Sequence, residues 1–187
     1  DGLARMGKKT LLVDLDAQGN ASSIFSDPPP REESVHELFR SRTPAQELAR
    51  KTRNENLSLL PSVLELAEVE TLLAGHVDGF FRLQEGLKYP DGQAPDFIIM
   101  DCPPNLGLLT LNAFIASDYC ILPILASRFS LDGIRTMLDT LETVHHRFSR
   151  ELKILGALMT MYNDRTAISG AVLEPVQELI SVFKTRI

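Results

Sequence analysis

A chain of 187 residues, 44% hydrophobic and 24% charged, has ordinary globular composition and the length of one domain with a sizeable core. Its formal net charge of -6 argues against a surface coated with cations for nucleic acid, while leaving room for a local basic patch. No apolar run approaches the ~18 residues of a membrane-spanning helix, no signal-peptide pattern opens the chain, and Cys102 and Cys120 form no C-x-x-C pair, so the reading is a soluble, cytoplasmic protein with neither a zinc site nor a disulfide framework.

In chain order, Asp1-Gly-Leu-Ala-Arg-Met-Gly7 has helical spacing between Leu3 and Met6, with Gly7 placed as a C-cap. The chain thus starts within a helix and stops at Lys184-Thr-Arg-Ile187, where a new strand could start, so both ends read as cut. A strand is expected over 10–15 and a short helix after Asn20. The polar region 26–56 comes next, broken by Asp27-Pro-Pro-Pro30 and read as a less regular helical and loop insertion, with short amphipathic helices at 35–39 and 45–49. A strand at 57–60, helices near 64–74 and 78–88, a turn at 89–92 and a strand at 96–100 lie beyond it. Helix 106–116, strand 119–124, helix 130–147, strand 153–161 and helix 167–183 complete the chain. Continuous apolar strands alternating with helices predict an α/β domain over 1–187, a mostly parallel sheet with helices on both faces.

Two of these strands end in acids. Thr10-Leu-Leu-Val-Asp14-Leu-Asp16-Ala-Gln18-Gly-Asn20 runs from an apolar strand into two carboxylates and a polar, glycine-containing loop. Asp96-Phe-Ile-Ile-Met-Asp101-Cys-Pro-Pro104 has the same grammar. Either acid alone could simply end its strand and cap the next segment. The pair points to a site, because ligands of open α/β sheets sit at the carboxyl ends of the strands, and Mg²⁺ is held by one or two carboxylates, waters and substrate phosphates. The four histidines, His36, His76, His145 and His146, have no ligand spacing and read as surface or packing residues. Cys102 and Cys120 read as small buried hydrophobes.

A polyphosphate site also needs a glycine-rich loop between a strand and a helix N-terminus. The nearest match, Gly2-Leu-Ala-Arg-Met-Gly7-Lys8-Lys9, has Thr10 one place late and lies at the end of a helix, so its amides point the wrong way. It reads as a helix C-cap leading into a lysine-rich approach to a strand. Either the chain is not a nucleotide protein, or the loop lies upstream of Asp1.

The segments Leu11-Leu-Val-Asp14-Leu-Asp16-Ala-Gln18-Gly-Asn20-Ala-Ser and Asp96-Phe-Ile-Ile-Met-Asp101-Cys-Pro-Pro-Asn-Leu-Gly-Leu-Leu-Thr-Leu-Asn112 match a known family in order and spacing. Pro123-Ile124, Phe129-Ser-Leu-Asp132-Gly133 and Leu158-Met-Thr-Met-Tyr-Asn163-Asp-Arg165-Thr166 extend the match over nearly the whole chain. The chain resembles the ParA/Soj branch of the deviant Walker-A partition ATPases, relatives of the cell-division-site ATPase MinD.

The resemblance implies an incomplete P-loop NTPase-like fold and a set of roles. Asp16 matches the acid that positions the attacking water, and Asp14 its partner near the metal and phosphates. Asp101 matches the Walker-B acid that holds Mg²⁺ through water, Asn163 falls where the family contacts adenine, and Arg165 matches an arginine implicated in non-specific DNA binding by the dimer. ATP and Mg²⁺ are the implied cofactors. The implied partners are a second copy in the ATP state, non-specific DNA and a ParB-type centromere-binding protein, with the protein associated with the nucleoid.

The family's Lys-Gly-Gly-x-Gly-Lys-Thr loop is absent, as are its last strand and C-terminal helices with a second DNA-contacting arginine. By resemblance the missing first strand lies centrally, beside the strand ending at Asp101. The 187-residue chain alone is therefore expected to be inactive, and turnover to require the upstream segment. Two rival readings stay open: a MinD-like membrane-cycling ATPase, whose C-terminal amphipathic helix would lie beyond Ile187, and a non-catalytic interaction module that has lost the loop. An iron-sulphur relative needs paired ligand cysteines that Cys102 and Cys120 do not supply.

Overall fold

The computed structural model describes residues 1–125, 130–148, 151–162 and 167–187. Its secondary structure falls into two compact units, Asp1–Ala116 and Ser117–Ile187.

In the first unit a one-turn helix, α1 (Gly2–Arg5), is ended by Gly7 at φ 79°, a left-handed conformation that costs glycine no Cβ clash. The next apolar run forms β1 (Thr10–Asp14). Helix α2 (Asn20–Phe25) starts beyond the acidic loop, and α3 (Val35–Ser41) and α4 (Ala45–Leu48) fall close to the expected positions. A two-residue strand, β2 (Arg50–Lys51), precedes β3 (Leu57–Leu60). The region expected to be helical over 64–88 consists of two 3-10 segments, Leu64–Glu68 and Val77–Phe81, each running into a single helical turn, α5 (Val69–Leu72) and α6 (Arg82–Gly86). Strand β4 (Phe97–Asp101) and helix α7 (Leu108–Ala116) close the unit.

The sheet order is β2-β3-β1-β4. Strand β1 is parallel to both β3 and β4, and β2 adds an antiparallel edge. Side chains alternate across the pleat. Leu11 and Val13 on β1, beside Ile98 and Met100 on β4, face a core completed by Val35, Leu38, Phe39, Leu66, Leu83 and Leu109. Burying each such aliphatic side chain contributes ~1.5–3 kcal/mol. Phe97 and Ile99, which alternate with the core-facing residues of β4, stay 41% and 44% exposed, so this strand is covered by the described residues on one side only.

Region 26–56 holds a 3-10 turn at Arg31–Glu33, the two short helices α3 and α4 and the strand β2. Val35, Leu38, Phe39, Ala45 and Leu48 are buried, and α3 is built into the main core rather than hung from it. The apolar spacing at 35–39 that marks an amphipathic helix is the face that enters the core.

The second unit holds β5 (Tyr119–Leu125), α8 (Ser130–Phe148), β6 (Lys153–Thr160) and α9 (Ala167–Leu179). The two strands pair in parallel, with a register irregularity between Cys120 and Ile121. Ile134, Leu141 and Val144, with Met137 and Leu138 between them, form the apolar stripe that helical spacing requires on α8. Helix α9 ends four residues before the expected Phe183, because the chain beyond it turns to pair with β6: Val182 bridges Ala157 in parallel, and the Ile187 amide donates to the Met159 carbonyl at 2.9 Å. Gly156 allows this approach, since a Cβ there would lie 2.9 Å from the Ser181 carbonyl oxygen.

The mostly parallel α/β architecture thus matches the expectation, but as two sheets instead of one. Strand β4 is an outer strand of the first unit's sheet.

Candidate functional site

The register of β1 with β4 sets Thr10 against Phe97 and, four residues on, Asp14 against Asp101. Two acids separated by 87 positions therefore reach one end of two adjacent parallel strands, the edge where open α/β sheets bind ligands. The Leu15 amide donates to the Asp101 carbonyl at 2.8 Å and carries the pairing one step further. Asp16 then stands just past the strand, at the start of the loop that Gly19 turns at φ 62° into α2.

The three carboxylates meet different surroundings. Asp14 has no exposed surface. One of its oxygens accepts from the Ser22 amide and the Ser22 hydroxyl, both at 2.7 Å, and the other accepts from the Asp16 amide at 3.1 Å. The Ser22 hydroxyl in turn accepts from the Ser62 amide just beyond β3, at 2.9 Å. Asp14 is thereby a structural anchor joining β1, α2 and the end of β3. These three bonds leave part of the Asp14 acceptor capacity unused, and its expected place near the metal and phosphates is kept as a proposal.

Asp16 is half-buried and accepts from the Gln18 amide at 3.0 Å, which fixes its side chain within the loop. Asp101 is open to solvent on one side, and its carboxylate has no hydrogen-bond or ion-pair partner among the described residues. Desolvation by the protein beneath it, then the like charges of Asp14 and Asp16, hold its pKa above the usual aspartate range. A carboxylate kept uncomfortable by two neighbouring anions gains from a cation, and its open face leaves room for one. The donor set therefore suits Mg²⁺ at Asp101, with the remaining ligands from water and phosphate. Among the described residues no group of three or more His, Cys, Asp or Glu is built to hold a metal without such outside ligands.

Asn163 and Arg165, expected at adenine and DNA respectively, lie outside the described residues. Cys102 is half-buried against the first core; Cys120 packs at the edge of the second, where burial raises its thiol pKa. His36 is a packing residue, 2% exposed, with Nδ1 3.2 Å from the Glu37 carboxylate. Ser22 and Ser62, which hold Asp14, escape sequence reading. The local signal for Ser22 was only a serine in a short helix, and Ser62 has none. A cavity of about 500 Å³ lined by Glu70, Leu73, His76, Phe80, Gly107 and Leu111 lies at the start of α7.

The mostly parallel sheet with acid-tipped neighbouring strands is that of an α/β protein, and its structural neighbours have P-loop NTPase-like folds. A family profile described as an AAA domain matches residues 1–154. The sporulation initiation inhibitor protein Soj of Bacillus subtilis (strain 168) is 36% identical over 186 residues, covering 98% of this chain and 73% of its own length. The chromosome partitioning protein ParA of Myxococcus xanthus (strain DK1622) is 35% identical over 176 residues, which are 94% of this chain and 62% of that protein. A crystal structure described as cobyrinic acid a,c-diamide synthase from Mycobacterium smegmatis, with bound ADP and magnesium, superposes with a TM-score of 0.85 at 35% identity, covering 94% of this chain and 71% of that one. The chain belongs to the ParA/Soj-type family of AAA-domain ATPases.

Proposed function

We propose that the full-length gene product is a ParA-type partition ATPase, whose ATP-bound dimer holds non-specific DNA and works with a ParB-type partner in chromosome or plasmid segregation. The observation that carries the reading is the contrast at the sheet edge. Asp14 is locked into the fold, which frees Asp16 and Asp101 to face a ligand from a rigid base.

In this reading Asp101 holds Mg²⁺, which when bound offsets the charge of the phosphates, and Asp16 orients the attacking water. Phosphoryl transfer asks a protein mainly for positioning and charge stabilisation, and both are available here. Asp14 stands near the metal and phosphates, by resemblance, and holds Asp16 through its backbone amide. Asn163 contacts adenine and Arg165 contacts DNA phosphate, both by resemblance. The partition names of the relatives and the ADP and magnesium of the mycobacterial structure support the assignment.

The test is retention of the full-length product on DNA of arbitrary sequence. Retention should require ATP and Mg²⁺, fall steeply with added salt as phosphate contacts do, and weaken severalfold in Arg165→Ala. Retention independent of nucleotide would remove the partition reading, and retention unchanged by Arg165→Ala would remove that residue from the DNA contact. The mycobacterial name favours a second reading, ATP-driven amidation of a carboxylate. It predicts ADP release dependent on cobyrinic acid and a nitrogen donor, without DNA retention.

A further inference from the structure

Between Asp101 and α7 lies Cys102-Pro-Pro-Asn-Leu-Gly107, the segment that links the acid to the helix. Its two prolines have fixed φ and no N–H to donate. At its start, the Asp101 carbonyl is tied to the Leu15 amide. At its end, the bonds around Asn105 are local: its side chain accepts from the Gly107 amide at 3.1 Å, and its carbonyl from the Thr110 hydroxyl at 2.6 Å. A further bond reaches the end of the segment from a distant element. The Glu70 carboxylate, on α5, accepts from the Leu108 amide at 2.8 Å, at the first residue of α7.

Gly107 marks the same contact from the other side. A Cβ there would lie 2.0 Å from the Glu70 carboxylate oxygen and 3.1 Å from the Asn105 side-chain oxygen. The position is closed to any side chain while the carboxylate is in place. The obstacle is the far end of a flexible side chain, so an alanine would expel the carboxylate rather than unfold the unit.

We propose that Glu70 is a positioning residue, a carboxylate latch that fixes the loop after Asp101 by holding the first amide of α7 over Gly107. It stands 38 positions from Leu108 and touches neither Asp14 nor Asp16 in any described bond, so its effect on the acidic edge passes through the loop. The inference rests on the reading of Asp101 as the cation-holding acid, and deepens it by naming what holds that acid's loop from outside.

Amide hydrogen exchange by NMR on the full chain tests the latch without requiring nucleotide, so its failure is separable from failure of the ATPase reading. Glu70→Ala should speed exchange of the Leu108 amide by about threefold to thirtyfold, the range that loss of a helix cap gives. Protection within α7, from Asn112 to Ile115, and at Leu15 should be unchanged, which also reports that the variant is folded. Gly107→Ala should reproduce that pattern, and the double variant should be no worse than either single one. Glu70→Gln, whose side-chain carbonyl can still accept, should restore protection. Unchanged Leu108 exchange in Glu70→Ala, additive effects of the two substitutions, or no rescue by glutamine would each overturn the latch.

Discussion

Asp14 and Asp101 stand opposite each other in register, yet one is buried with three hydrogen bonds and the other is open with none described. Because Asp101 is held above its ordinary pKa by desolvation and by Asp14 and Asp16, its ionised form is the disfavoured one in the folded chain. Its stabilising influence is greatest below the carboxylate range and is lost as pH rises through its raised pKa. Asp101→Asn should therefore raise Tm at neutral pH, with the gain vanishing as pH falls below that range, as thermal denaturation across pH would record. A neutral-pH Tm that fell instead would mean the Asp101 charge is compensated. A residue kept at a stability cost is typical of sites arranged for function. The acids themselves were legible in the sequence, because an apolar run ending in Asp is a local pattern. The way Asp14 is held was not, since it depends on Ser22 eight residues on and on the Ser62 amide brought from beyond β3.

Among the elements, α3 shows a short amphipathic helix in a polar stretch packing its apolar face into the core. Ser34 caps it by accepting from the His36 amide, and Val35, Leu38 and Phe39 are buried within the first core. Leu38→Ala should cost about 2–5 kcal/mol in a denaturant titration, the range for a buried leucine. A cost within the noise would mean that α3 adds little to the first core. The same helix carries a pH-dependent contribution. Glu37 is held below its ordinary pKa, first by the Ser41 hydroxyl at 2.6 Å and then by His36 and Arg40, against the opposing effect of desolvation. A lowered carboxylate pKa gives stability that is present above its unfolded value and lost as pH falls through the folded one. Glu37→Gln should thus lower Tm at neutral pH, with the difference closing on acidification. Helix and strand types were readable from periodicity, and most ends fell close to expectation. The end of α9 was not, because pairing of 182–187 with β6 overrides a helical pattern that continues in sequence.

At the scale of the whole molecule, the chain forms a mostly parallel α/β architecture in two sheets, and its membership of the ParA/Soj-type family rests on 36% identity to Soj over 98% of its length. Among the described residues no helix is long and apolar enough to cross a membrane. The net charge of -6 makes broad cationic adhesion to DNA a poor basis for binding, so the DNA retention proposed above would come from a small patch and be sensitive to single cations. The most direct measurement is ATP hydrolysis by the full-length gene product, compared with its Asp16→Ala variant at saturating Mg²⁺. If Asp16 orients the attacking water from the base that Asp14 provides, the variant should still bind ATP while its kcat falls about a hundredfold or more. Wild-type turnover in Asp16→Ala would contradict the assignment of this edge as the site of phosphoryl transfer.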